Sequence, residues 1–74
     1  VKIVKVYWRD SCYNTHWSSI DNLPPVTPCI SVGFLIKKTK KKIVVAGSLD
    51  LKTNNINGTI AIPRACVISI EELK

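Results

Sequence analysis

The chain's soft ligands and best nucleophiles are few: Cys12, His16, Cys29 and Cys66. A zinc site of three cysteines and one histidine would need all four. Cys12 and His16 stand four apart and share a face only on a helix, and no C-x-x-C spacing accompanies them. No metal and no cofactor are expected on that basis. Cys12 with His16, or Ser19 with His16, pairs a nucleophile with a base by proximity, yet no glycine-rich oxyanion turn lies nearby. Asp10 and Asp21 are candidate paired carboxylates whose separation in space is left open. There is no phosphate-binding loop, dinucleotide fingerprint or metalloprotease motif. With no convergent site the chain reads as a binding protein and not an enzyme. An odd number of scattered cysteines points to free thiols in a reducing cytoplasm, packed as small hydrophobes.

Charge offers a second kind of chemistry. The net charge of +6 rests on Lys37, Lys38, Lys40, Lys41 and Lys42; the other residues carry six basic and five acidic groups, leaving only +1. The basicity is one local patch between two strand-like runs, hence a hairpin tip. One reading is a solvated turn whose lysines discourage edge-to-edge pairing. The other is contact with an anion, a nucleic acid or a nucleotide, aided by Arg9 and Arg64. Lysines act there as point charges, so contact with a phosphate backbone would be independent of sequence and sensitive to salt.

Aromatic residues give the third signal. Tyr7, Trp8, Tyr13 and Trp17, four of the five aromatics, fall within eleven residues. Tyr7, Tyr13, His16 and Trp17 form a candidate stacking or interface surface, beside Arg9, with Trp8 in the core. The competing reading makes Trp8 and Trp17 ordinary core residues that hold a loop down. A surface of this kind also suits a host-protein partner.

These groups must be positioned by strands. Residues 2–9 alternate, with Val4, Val6 and Trp8 on one face. Asp10 to Thr27 has no strand period and includes Pro24-Pro25, so it reads as a long loop with at most a short helix over 17–22. Residues 29–37 place Ile30, Val32, Phe34 and Ile36 on one face and Ser31 and Gly33 on the other, with Gly33 marking a bend or bulge. Residues 43–49 form the next β-branched run, and the lysines join the two as an antiparallel hairpin. Asn57-Gly58 reads as a hairpin turn despite matching a glycosylation sequon, followed by a short strand over 59–62. Pro63 to Cys66 reads as a 3-10 turn. The last strand, 66–70, puts Ile68 and Ile70 on one side and Val67 and Ser69 on the other.

Seventy-four residues and 8.2 kDa make one domain, residues 1–74, with 46% hydrophobic and 22% charged residues. That composition is globular and excludes a disordered charged tail. No apolar run is long enough for a membrane helix, and Val1 to Arg9 does not read as a secretory leader. Five strands, glycines inside two central ones and a one-turn connection before the last look like an all-β, strongly bent SH3-like or Sm-like small barrel. Its long loop follows strand 1 and its 3-10 turn precedes the last strand. So small a barrel with exposed edges is expected to form a homo-oligomer.

The pattern Trp8, Asp10, Trp17, then Ser31-Val32-Gly33-Phe34-Leu35, Val44-Val45-Ala46-Gly47-Ser48, Asn57-Gly58-Thr59, Ile62-Pro63-Arg64, Ile68 and Ile70 resembles a set of small proteins encoded by phages and prophages. The resemblance covers most of residues 8–70. It implies a compact β domain in the cytoplasm of an infected bacterium, acting by binding. It brings no functional residues with it.

Overall fold

In a computed structural model, residues 1–11 and 17–74 are described; Cys12, Tyr13 and His16 lie outside them. Five strands, β1 (Ile3–Asp10), β2 (Thr27–Lys38), β3 (Lys42–Leu49), β4 (Ile56–Pro63) and β5 (Val67–Leu73), form one antiparallel sheet in the order β4-β3-β2-β1-β5. Among the described residues one 3-10 turn, η1 (Arg64–Cys66), precedes β5 as the proline predicts. The chain is therefore all-β with almost no helix. No helix among the described residues is long and apolar enough to cross a membrane. The sheet is not closed, and β4 and β5 are its two edges.

The alternation of β1 builds the core. Val4, Val6 and Trp8 are buried and cluster with Ile43 and Val45 of β3 and Ile62 of β4. The β1 side of the sheet thus curls over to face the β3–β4 side. Cys29, Leu35, Cys66, Val67 and Ile70 pack around that cluster. Strand β2 makes the curl by changing partners along its length. Its first part, up to Phe34, pairs with β1, and Phe34 onward pairs with β3, with a register shift between Leu35 and Lys37. A Cβ on Gly33 would meet the Ala46 carbonyl oxygen at 2.4 Å, so only glycine allows β2 and β3 to approach this closely. Gly33 is thus a close approach, and the irregularity in pairing comes three residues later.

The first part of β2 presents Ile30 and Val32 to the outside. Cross-strand partners in an antiparallel pair share a face. Val4 opposes Gly33, Val6 opposes Ser31 and Trp8 opposes Cys29, so the core side of β2 is the small-residue side. Ile30 and Val32 lie on the outer face beside Tyr7 and Lys5. The reason is Trp8. Its large ring fills the space over β2, and its indole Nε1 donates to Ser31 Oγ at 3.0 Å. A buried N–H left without an acceptor would be destabilising, so a hydroxyl is needed inside and Ile30 and Val32 turn outward.

Two further expectations are corrected. The β3–β4 turn is made by residues 50–55, not Asn57-Gly58, which falls inside β4. The Asp50 carboxylate accepts the Lys52 N–H at 2.9 Å, and the Asn54 N–H bonds the Asp50 carbonyl at 2.8 Å with Asn54 at φ 60°. This side chain-organised turn prevails over the Asn-Gly signal. In β5 a register shift opposite Tyr7 and Trp8 brings both Val67 and Ile70 against the core and leaves Ile68 exposed. Over 17–22 the loop keeps to a turn, with the Asn22 N–H bonding the Ser19 carbonyl at 3.0 Å, within the limit of at most a short helix that the sequence sets.

Beyond Ala46, β3 outruns β2. Ser48 pairs with Asn57 and Leu49 with Ile56, so the β3–β4 hairpin continues as a two-stranded ribbon.

Candidate anion-binding surface

The lysine run is a built turn organised by Thr39. The Thr39 hydroxyl accepts the N–H groups of Lys41 and Lys42 at 3.2 and 3.1 Å and donates to the Lys42 carbonyl at 3.3 Å. The Thr39 N–H bonds the same carbonyl at 2.9 Å. A threonine between lysines is a local turn signal that went unread in the sequence. Its hydroxyl is fully engaged in the turn, which leaves it poorly placed as a nucleophile.

The tip is then tied to η1. The Arg64 N–H donates to the Lys41 carbonyl at 2.8 Å, next to the Lys42–Pro63 pair that ends the β3–β4 ladder. Lys38, Thr39, Lys40 and Arg64 line one shallow depression of about 600 Å³. Two lysines and the partly buried Arg64 thus border one open space. No carboxylate among the described residues forms an ion pair with any of them; the ion pair found there joins Lys2 to Glu72 at 3.9 Å. Unneutralised cations around a concavity attract anions, and the arginine fork adds directional bonding to phosphate or carboxylate oxygens.

The other predicted cations are placed differently. Lys37 opposes Val44 and Lys38 opposes Ile43, so the two point to opposite faces of the hairpin. Lys41 and Lys42 are exposed on the tip but do not line the depression. Arg9 is exposed near the end of β1, opposite Pro28, and also lies outside the lining.

The aromatic surface is described only in part. Tyr7 is half-buried on the outer face of β1, with Lys5 Nζ 5.8 Å from its ring centroid, a cation–π contact. Trp17 is fully exposed, and is not the core residue of the competing reading. Trp8 is in the core as expected. Tyr13 and His16 lie outside the described residues.

Cys29 opposes Trp8 from β2, while Cys66 precedes Val67, which opposes Trp8 from β5. Strand β1 lies between β2, which carries Cys29, and β5, which Cys66 precedes. Both cysteines are free, and among the described residues no cluster of histidine, cysteine and carboxylate side chains forms a metal site. A second depression, about 360 Å³, lies on the β3–β4 ribbon. Its one charged group, Asp50, is occupied by the turn.

Compared with protein-family models, with curated proteins and with solved structures, the chain matches none.

Proposed function

We propose that this chain is a non-catalytic binding protein of phage origin that engages phosphate groups of a nucleic acid or nucleotide through its lysine hairpin. The observation that carries the reading is the depression shared by Lys38, Lys40 and Arg64, held by the Thr39 turn and the Arg64–Lys41 bond. The resemblance of residues 8–70 to phage-encoded proteins supports a role in a host cytoplasm, in counter-defence for example. The strand order, the bent β2 and the 3-10 turn before β5 support an SH3-like or Sm-like relationship.

The test is fluorescence anisotropy with labelled single-stranded DNA, single-stranded RNA and a labelled nucleotide, each over a salt series. Three cations at a single strand predict a slope of about −2 in log affinity against log salt. Replacing Lys37, Lys38, Lys40, Lys41 and Lys42 with glutamine should remove binding and flatten the slope. Unchanged affinity in that variant would sink the proposal.

A second reading rests on the exposed indole of Trp17. Here the Tyr7–Trp17 surface docks on a host protein, and Trp17→Ala abolishes the complex while the lysine changes do little.

A further inference from the structure

The cations of the lysine hairpin do not form one surface. Cross-strand partners share a face, so Lys38 lies on the side of its partner Ile43, a core residue, and Lys37 lies on the opposite side with Val44. Lys42 pairs with Pro63, next to the Ile43–Ile62 pair, and falls on the side of Val44 and Lys37. Of the five hairpin lysines, Lys38 and Lys40 line the depression, and Arg64 joins them from η1. Among the described residues no other cation lines it. The depression is a single basic concavity and not one stretch of a longer basic track.

Three cations around one concavity suit concentrated negative charge. A terminal phosphate carries about two charges near neutral pH, with three acceptor oxygens on one phosphorus. Each diester of a nucleic-acid strand carries a single charge, and the next lies further along the strand. Lys38 and Lys40 act as point charges, while the planar Arg64 fork can hold two oxygens at once. The Arg64 backbone, bonded to the Lys41 carbonyl at 2.8 Å, fixes where that fork starts. Single strands are held by a basic groove with aromatic faces along it, and the described lining contains no aromatic ring. A volume of about 600 Å³ falls within the roughly 300–1,000 Å³ of small-ligand sites.

We infer that the depression takes a compact polyphosphate, the triphosphate end of a nucleotide or the free inorganic anion, and binds it without reading a base. This rests on the phosphate reading proposed above and narrows its ligand to one whose charge is concentrated at one place. Specificity then follows the number and spacing of phosphate charges, and the nucleoside stays outside the contacts.

The experiment is isothermal titration calorimetry at physiological ionic strength. The probes are inorganic tripolyphosphate, ATP, GTP, CTP, adenosine and a single-stranded oligonucleotide ending in hydroxyls. Tripolyphosphate and the three nucleotides should bind within about threefold of one another, and adenosine should not bind. The oligonucleotide should bind at least about tenfold more weakly than tripolyphosphate, because its diesters are singly charged. Lys38→Gln/Lys40→Gln should weaken tripolyphosphate at least about tenfold. Lys52→Gln/Lys74→Gln removes as much charge beyond the far ends of β3 and β5. Each lies about 20 Å of strand away, past the screening length, so affinity should change by less than about threefold. Should Lys38→Gln/Lys40→Gln fail to fold, Arg64→Gln reads the same site and keeps the backbone bond to Lys41. Three results would overturn the inference while phosphate binding stood: discrimination of more than about tenfold among nucleotides, an oligonucleotide as tight as tripolyphosphate, or equal losses in the two double variants. ATP binding more than about tenfold more weakly than tripolyphosphate, with GTP and CTP alike, would assign the inorganic anion as the source. If no anion bound the wild type, the phosphate reading itself would fall, and this inference with it.

Discussion

Placing a methyl group on Gly33 tests the reasoning about how this sheet bends. The added Cβ would stand 2.4 Å from the Ala46 carbonyl oxygen and 2.8 Å from Val45 Cγ1. Ordinary non-bonded contact is about 3.5 Å, so roughly 1 Å must be found. The nearer obstacle is backbone, in a strand paired on both sides by β2 and β4, and cannot swing aside. Overpacking of this kind costs about 1–3 kcal/mol, and the upper part of that range applies to a backbone obstacle. Reduced freedom of the unfolded chain offsets about 0.4–1 kcal/mol. The net expectation for Gly33→Ala is a loss of about 2 kcal/mol. For a domain of this size that lowers the melting temperature by about 8–16 °C. Gly47→Ala is the matched comparison, because its Cβ would find nothing nearer than 3.8 Å and its φ is not positive. Thermal unfolding followed by circular dichroism, at one fixed protein concentration, reads both. If Gly33→Ala melted within 2 °C of the wild type, or above Gly47→Ala, the close approach of β2 to β3 would be wrong.

Ser31→Ala should destabilise the protein by about 1–2 kcal/mol, since it strips the Trp8 indole of its acceptor; chemical denaturation measures it, and a neutral result would place the indole in contact with water. Thr39→Val keeps the size of the side chain but removes the turn's hydroxyl; it should weaken anion binding several-fold in the anisotropy assay without altering net charge, and unchanged binding would separate the turn from the site. The Asp50 carboxyl is held below its usual value chiefly by the Lys52 N–H, then by Thr53. A depressed folded-state value means that this contribution is present above pH 3.8 and lost as pH falls through the folded-state value. The Lys52 amide proton shift should therefore titrate below pH 3.8 in the wild type and stay flat in Asp50→Ala.

What was legible in the sequence was what period-2 alternation and local turn chemistry encode. The strands of β1, β2 and β3, the lysine hairpin and the turn after Pro63 all follow from such local signals, because each is settled within a few residues. The face of β2 was not, since alternation gives two faces without saying which is inward. That choice depends on Trp8 needing a hydroxyl and on the room left beside Ala46, both tertiary facts. Asn57-Gly58 misled because a favourable turn pair competes with an Asp50-organised turn upstream, and only one can close the hairpin. At the candidate site, Lys38 and Lys40 were found by charge alone. Their meeting with Arg64 depends on η1 returning the chain to the tip, which no spacing reveals. Arg9 was grouped with them by sign of charge, and the lining of the depression does not include it.

The ribbon formed by β3 and β4 beyond Ala46 has a practical consequence. Its last pairs, Ser48 with Asn57 and Leu49 with Ile56, lean on no third strand among the described residues, and Gly47 and Gly58 mark its root. No residue of the buried core cluster lies in it. The loop over residues 51–54 is therefore a natural splice point, where a fluorophore-bearing peptide or an epitope can be inserted while the lysine tip and the outer face of β2 stay untouched. A reporter seated there would follow ligand and partner at once, from a position that belongs to neither.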